Sequence, residues 1–370
     1  MRREPCLKPV TRNLKPEISS MLRTTFLLIA TVTFCHAYAQ QPTYAEMLGW
    51  PKGAKVIILH VDDAGMSYDS NLGVMNAITN GTATSLSVMM PCPWVPQIVR
   101  YIKANPDIDA GLHLTLNAEW HDYRWVPVAG KSAVPGLTDS EGCLWPEAPD
   151  VVKHASAAEV DKEIRAQLDR ALSMGFTPTH LDSHMGTLFA SQAYLEKYIQ
   201  LGIEKKIPVM IPGGHNSYLR ADYIEREKEA LQKAGKWVPG TKLEEPAALK
   251  SAAAVGKMVW NAGLPVLDDL HSNSGDWAIP DSAKNNDAAL QHFYAQKYEE
   301  ALGILKPGLT MVIMHCTAPS EIFSHISASG LHRKGDMLAM TDPSLKQYIK
   351  EHGIILTTWR EVMERRKKVK

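Results

Sequence analysis

The 370-residue chain is poor in aromatic residues, in cysteine and in net charge. Its 40 Lys and Arg residues are balanced by 40 Asp and Glu residues, so the basic surplus that phosphate contacts require is missing. Its 5 cysteines, of which Cys92, Cys143 and Cys316 lie beyond residue 39, are too few for a disulfide framework, and no C-x-x-C pair indicates a thiolate zinc site. No apolar run reaches the roughly 20 residues that cross a bilayer. We therefore expect neither a nucleic-acid partner nor stable membrane insertion.

Apolar residues make up 45% of the chain, which is enough for a large hydrophobic core. Residues 26–34 form a short apolar run between Arg23 and the small-x-small pattern Ala37-Tyr38-Ala39. These are the parts of a secretory signal peptide, so we predict a leader over residues 1–39, with Met21 as a possible true start. The protein would then be exported to the periplasm or the extracellular space. The alternatives are a buried helix and an uncleaved anchor.

Short apolar or β-branched runs recur along the chain, each followed by a loop and a helical pattern. The clearest helix covers residues 157–174, where Ser156 and Glu159 form a capping box. Other helices are predicted near residues 70–79, 95–103, 192–205, 222–234, 287–305 and 343–352. The predicted strands cover residues 56–61, 85–90, 110–114, 179–182, 209–211, 266–270, 311–314 and 354–357.

Strands that alternate with helices predict an α/β fold with a parallel sheet. Eight strands are the number that closes a TIM-like (β/α) barrel, although an open doubly wound sheet is the alternative. Residues 120–149 are rich in proline and glycine and lack periodicity, so they predict a long excursion after the third strand. We expect one domain over residues 43–370.

Polar residues cluster where the predicted strands end. Because the carboxyl ends of parallel strands meet on one rim of a barrel, these side chains are expected to lie close together. The residues concerned are Asp62, Asp63, His113, Asp182, His184, His271 and His315.

Two adjacent carboxylates at a strand end are hard to bury without a cation, because like charges repel and an unpaired buried carboxylate is costly. Strand alternation predicts opposite directions for Asp62 and Asp63, and hence different roles. One carboxylate with His113 and His184 would form an O/N/N ligand set with room for water, as in hydrolytic metal centres. Asp182 is a candidate to orient a ligand imidazole. The alternative roles are a helix cap for the carboxylates and a hydrogen-bonded core imidazole for His113.

Five segments carry a more specific pattern. Residues 56–65 read VIILHVDDAG, residues 111–114 read GLHL, and residues 179–184 read THLDSH. Two later segments read MHC at 314–316 and TWRE at 358–361. In this order they resemble the motifs of the YdjC-like carbohydrate deacetylases. The segment 271–277 has no counterpart in that pattern.

The resemblance implies a deformed (β/α) barrel that removes the acetyl group from N-acetylated oligosaccharides with one divalent ion. It implies that Asp63, His113 and His184 bind the metal, that Asp62 is the general base and that His315 is the general acid. An Asp/His/His set suits zinc, which we prefer over magnesium.

Aromatic residues in and beside the excursion either line a glycan cleft or form local loop cores. They are Trp120, Tyr123, Trp125, Trp145 and Trp277. Two other functions remain open, namely another metal-dependent hydrolase such as a phosphoesterase and a non-catalytic glycan-binding protein.

Overall fold

A computed structural model describes residues 41–369 of the chain. The predicted leader, residues 1–39, lies outside these residues, so the signal peptide and export stay predictions. The described chain from Pro42 onward forms one compact unit. Within it, every helix is too short or too polar to cross a membrane.

The strands of the described chain alternate with helices, as predicted. The strands are β1 (Lys55–Ala64), β2 (Ser85–Val88), β3 (Ala110–Leu114), β4 (Leu181–Ser183), β5 (Asp269–His271), β6 (Gly308–Met314) and β7 (Ile355–Leu356). The helices are α1 (Tyr44–Met47), α2 (Tyr68–Thr79), α3 (Val95–Ala104), α4 (Ala148–His154), α5 (Ala157–Ser173), α6 (Gln192–Lys205), α7 (Ser217–Lys233), α8 (Ala247–Asn261), α9 (Asp281–Lys284), α10 (Asp287–Ile304), α11 (Gly330–Met340), α12 (Pro343–Glu351) and α13 (Trp359–Lys368).

All strand pairs are parallel, in the order β4-β3-β2-β1-β6-β5. β7 pairs with Val56 and Ile57 near the start of β1, whereas β2 pairs with β1 from His60 onward. Because β1 is buried on both faces by the surrounding layers, its sequence is a nearly continuous apolar run rather than an alternating one.

The prediction of a fifth strand over residues 209–211 is wrong. This segment instead makes two isolated parallel bridges, Leu181 with Val209 and Pro212 with Leu267. The bridges place it between β4 and the chain that leads into β5, so the sheet curves back on itself. The predicted deformed TIM-like barrel is confirmed.

Helix α5 shows how the local sequence produces this architecture. The capping box of Ser156 and Glu159 is present at its start. Its apolar face, formed by Val160, Ile164 and Leu168, is buried in the core. The excursion of residues 120–149 is held above the same region, with Leu137 and Leu144 fully buried. Cys92 and Cys316 are buried, and together with Cys143 they are free thiols.

Candidate metal centre

The ends of β1 and β3 and the turn after β4 bring three predicted ligands together. Asp63 Oδ1 lies 3.5 Å from His113 Nε2 and 3.5 Å from His184 Nδ1. The ligand atoms of these three residues all lie within 4.8 Å of one another. Donor atoms around a tetrahedral zinc ion are about 3.4 Å apart, so these separations fit such a site.

The backbone of Asp63 departs from the regular strand that its sequence predicts. Its φ is +63°, and the pairing of β1 with β2 shifts register between Val61 and Ala64. This irregularity cancels the expected alternation, so Asp62 and Asp63 do not point to opposite faces. Both carboxylates approach the same imidazole, with Asp62 Oδ2 lying 3.7 Å from His113 Nε2.

The two oxygens of Asp63 have different surroundings. Oδ2 accepts a 2.7 Å hydrogen bond from Arg333 Nη1, whereas Oδ1 is buried without a hydrogen-bond partner. Burial raises the pKa of Asp63, but the Arg333 guanidinium and His184 outweigh it and hold the pKa well below its usual range. Asp63 is therefore an ionised carboxylate with one oxygen free for a cation.

His113 is oriented by Asp182, whose Oδ1 lies 2.7 Å from His113 Nδ1. An ionised carboxylate accepts only, so Nδ1 donates a proton to Asp182 and Nε2 is the ring nitrogen that faces Asp63. This contact agrees with the orienting role considered for Asp182. Gly111 in the GLHL motif leaves room for the neighbouring His180, because a Cβ there would lie 2.4 Å from its ring.

His184 follows β4 and contacts Glu119, whose Oε2 lies 3.0 Å from His184 Nε2. Burial lowers the pKa of His184, but Glu119 and Asp63 outweigh burial and raise the pKa to about 10. Four carboxylates, those of Asp62, Asp63, Glu119 and Asp182, thus surround two imidazoles. The carboxylate oxygen and the two imidazole nitrogens form a mixed O/N donor set that suits a divalent cation.

The two predicted proton carriers lie at this rim. Asp62 Oδ1 accepts a 3.1 Å hydrogen bond from Ser87 Oγ, which leaves Oδ2 on the side of His113. His315 follows β6, and its backbone N donates to Asp336 Oδ2 at 2.9 Å. Burial lowers the pKa of His315, while the Asp63 carboxylate opposes that shift.

Sequence reasoning missed two residues of the site, Glu119 and Arg333. Glu119 lies in the loop after β3 and Arg333 in the unpredicted helix α11, and no local pattern points to either. His271 lies at the end of β5 as expected, but both of its ring nitrogens are buried without a hydrogen-bond partner. Burial lowers the pKa of His271 to about 4, so it is neutral.

The predicted aromatic residues divide into two groups. Trp120 lies 5.6 Å from the Arg333 guanidinium carbon, and the Trp125 ring lies 6.2 Å from the His184 ring. Tyr123 packs edge-on against Trp125. By contrast, Trp145 stacks on His154 and Trp277 packs against Tyr298, so these two belong to local cores.

Together, the fold and the rim cluster define an α/β barrel protein with a candidate metal centre at the carboxyl ends of its strands. The model of the family described as YdjC-like protein matches residues 56–351. The chain belongs to this family.

Curated relatives share this region. A protein of Thermoanaerobacter pseudethanolicus named carbohydrate deacetylase is 23% identical over 82% of this chain and 98% of its own length. A carbohydrate deacetylase of Brevibacillus brevis is 33% identical, over 42% of this chain and 59% of its own length. A chitooligosaccharide deacetylase of Yersinia enterocolitica is 27% identical, over 42% of this chain and 59% of its own length.

A solved structure supports the fold. It is described as a proposed cellobiose-phosphate cleavage protein from Enterococcus faecalis V583. It superposes with a TM-score of 0.60 at 17% identity, covering 84% of this chain and 99% of its own. At this identity the likeness bears on the fold alone.

Proposed function

We propose that this protein is a metal-dependent carbohydrate N-deacetylase that removes acetyl groups from N-acetylated oligosaccharides. The observation that carries the proposal is the meeting of Asp63, His113 and His184 within 4.8 Å of one another. The names of the curated relatives support the same reaction class. Export of the protein, based on residues 1–39, is part of the proposal.

The ligands of the ion would be Asp63 Oδ1, His113 Nε2 and His184 Nδ1. When bound there, a divalent ion, with zinc preferred over magnesium, supplies Lewis acidity that lowers the pKa of water and polarises an acetyl carbonyl. Arg333 and Asp182 keep two of these ligands in place through their hydrogen bonds to Asp63 and His113.

Amide hydrolysis needs a base for the attacking water and an acid for the departing amine. Asp62 Oδ2 lies on the ligand side of its carboxylate, 3.7 Å from His113 Nε2, and is the atom proposed to accept the proton. His315 stands on the neighbouring rim position after β6 and would protonate the sugar nitrogen. Asp62 is buried, whereas His315 is half-buried at the rim of the barrel.

The test is acetate release from a panel of N-acetylated oligosaccharides, with and without a chelator. We expect release by the wild type, its loss in chelator and its return with added Zn²⁺. Asp62→Asn should lower kcat about 10²–10⁴-fold while leaving zinc binding intact. Asp122→Asn, which changes an exposed carboxylate of the excursion, is the matched control and should retain wild-type activity.

The same panel separates the alternatives. Hydrolysis of a phosphate ester without acetate release would favour a phosphoesterase, and glycan binding without any hydrolysis would favour a non-catalytic protein. An Asp62→Asn variant with wild-type kcat would exclude Asp62 as the base.

A further inference from the structure

His60 is a buried residue of β1 to which the proposed reaction assigns no role. Its Nδ1 lies 2.9 Å from Ser85 Oγ. Its Nε2 lies 3.0 Å from Asp62 Oδ1, 3.0 Å from Asp182 Oδ2 and 3.1 Å from Ser87 Oγ. The imidazole, which is 0% exposed, therefore sits between two carboxylates that come from different strands.

Each of these carboxylates uses its other oxygen at the candidate metal centre. Asp62 Oδ2 faces His113 Nε2 at 3.7 Å, and Asp182 Oδ1 contacts His113 Nδ1 at 2.7 Å. His60 thus contacts both carboxylates on the side that faces away from the ligands. A movement of His60 would displace the proposed base and the residue that orients His113 together.

The carboxylates of Asp62 and Asp182 are both buried and repel each other, so they need a hydrogen-bond donor or a cation between them. Burial lowers the pKa of His60, but the contacts with Asp182 and Asp62 outweigh it and raise the pKa to about 9. A cationic imidazole at this position neutralises part of the charge.

We propose that His60 is a positioning residue that holds Asp62 and Asp182 from inside the barrel and so sets the orientation of the general base and of His113. This inference rests on the proposed deacetylase function for the role of Asp62. Its geometric part, the link from His60 through Asp182 to His113, is independent of the substrate.

A second metal site is the competing role for His60, because the ligand atoms of His60, His180 and Asp182 also lie within 4.8 Å of one another. A second cation there would need space that the contacts already use. The 3.0 Å distances from His60 Nε2 to both carboxylates are those of buried ion pairs and are shorter than the about 3.4 Å between donors of a tetrahedral zinc site. The hydrogen bonds of the ring itself go to Ser85 and Ser87. Ser87 closes the same network by donating to Asp62. The geometry therefore favours a hydrogen-bonded imidazole.

The experiment compares His60→Leu with His60→Gln, whose side-chain amide still offers N–H donors. We expect His60→Leu to lower kcat about 10–100-fold with KM within about twofold, and His60→Gln to recover part of the loss. Calorimetry with Zn²⁺ and no substrate should show about tenfold weaker binding to His60→Leu, because Asp182 no longer holds His113 firmly.

A milder variant covers the case in which His60→Leu fails to fold. Ser85→Ala removes the hydrogen bond to His60 Nδ1 without touching Asp62, and we expect a smaller fall in kcat in the same direction. Thr84→Val is its matched control, since it removes a hydroxyl just before β2 that contacts Leu59 instead of His60. Equal kcat values for Ser85→Ala and Thr84→Val would overturn the proposal.

The zinc measurement keeps this inference distinct from the proposed function. If the wild type releases no acetate, the deacetylase proposal fails, while unchanged zinc affinity in His60→Leu would separately overturn the positioning role. Binding of two zinc equivalents, one of them lost in His60→Leu, would identify a second metal site and would overturn it as well.

Discussion

Arg333 and Asp63 form a buried ion pair that joins α11 to the end of β1. The Arg333 side chain is 11% exposed and the Asp63 side chain 2% exposed, so water screens the pair weakly. Arg333 Nε also donates to Ser329 Oγ at 2.7 Å, which fixes the guanidinium in one orientation. The pair therefore holds the carboxylate in the position from which its free oxygen faces the two histidines.

Replacing this arginine tests the pair in the metal-free protein. We expect Arg333→Met to lower the free energy of unfolding by about 3–5 kcal/mol at neutral pH, because Asp63 is left as an uncompensated buried charge. The depressed pKa of Asp63 means that the pair stabilises the fold above the unfolded pKa of about 3.9. That contribution is lost as the pH falls through the lower folded pKa. Urea unfolding of chelated protein at several pH values measures the difference.

Arg165→Met is the control, because Arg165 makes partly exposed ion pairs with Asp161 and Glu204 on the outer surface. Its loss should cost about 0–1 kcal/mol. A difference between Arg333→Met and the wild type that stays the same from pH 7 down to pH 2 would contradict the account.

The two imidazole ligands are expected to be essential for holding the metal. His113→Ala and His184→Ala should each abolish retention of zinc after dialysis, because each removes one of only three protein donors. Metal content per protein, measured by atomic emission, checks this. His121→Ala, which alters a histidine with a 97% exposed side chain, should retain the metal. Full zinc content in either ligand variant would show that the ligand set is wrong.

Part of this site could be predicted from local sequence patterns. Asp63, His113 and His184 could be proposed because each stands at a strand end inside a recognisable motif. Glu119 and Arg333 could not, because each reaches the site from a segment whose local sequence has no periodicity or motif tied to the chemistry. The positive φ of Asp63 was also hidden, since strand alternation assumes regular extended backbone on both sides.

At the scale of elements, α5 both covers the barrel and anchors the excursion. Glu163 is fully buried and accepts hydrogen bonds from Val128 N at 2.9 Å and Ala129 N at 2.8 Å. Gln167 of the same helix exchanges two hydrogen bonds with the backbone of Thr115. One helix face therefore holds both the loop that follows β3 and the excursion beside the site.

Glu163→Gln should loosen the excursion. The amide presents an N–H₂ group where one backbone N–H now finds an acceptor, and an unsatisfied buried group costs about 1–3 kcal/mol. We expect faster limited proteolysis within residues 120–149 and a matching loss in the free energy of unfolding. Asp169→Asn, an exposed position of α5, is the control and should behave as the wild type. Equal cleavage rates in both variants would show that Glu163 does not anchor the excursion.

Elements with strong periodicity were predicted well, and elements made by tertiary packing were not. Helix α6 matches its predicted range of residues 192–205, and α5 ends one residue early. Helix α11 was missed because two glycines lower its helix propensity. Gly335 is there for packing, since a Cβ would lie 2.3 Å from the Tyr294 ring. Such a requirement depends on a neighbour 41 positions away in the sequence.

At the scale of the whole molecule, the closure of the barrel is its least regular feature. Strand count and alternation predicted a barrel, but they could not show that residues 209–212 close it with two isolated bridges. Tyr198 of α6 reinforces this seam, because its hydroxyl donates to Leu181 O at 2.6 Å and accepts from Met210 N at 2.8 Å. A side chain outside the sheet thus supplies contacts that a regular strand would make with its neighbours.

Tyr198→Phe should therefore weaken the seam more than the rest of the barrel. Loss of the hydroxyl leaves Leu181 O with one partner fewer, and we expect a fall of about 1–3 kcal/mol in the free energy of unfolding. Hydrogen exchange should accelerate at the amides of Leu181 and Met210 relative to those of β1 and β6. Tyr194→Phe is matched to it, since Tyr194 lies one turn earlier and its hydroxyl contacts Val151 O and Ala155 O. Seam amides that exchange at the same rate in both variants would mean that the closure does not depend on Tyr198.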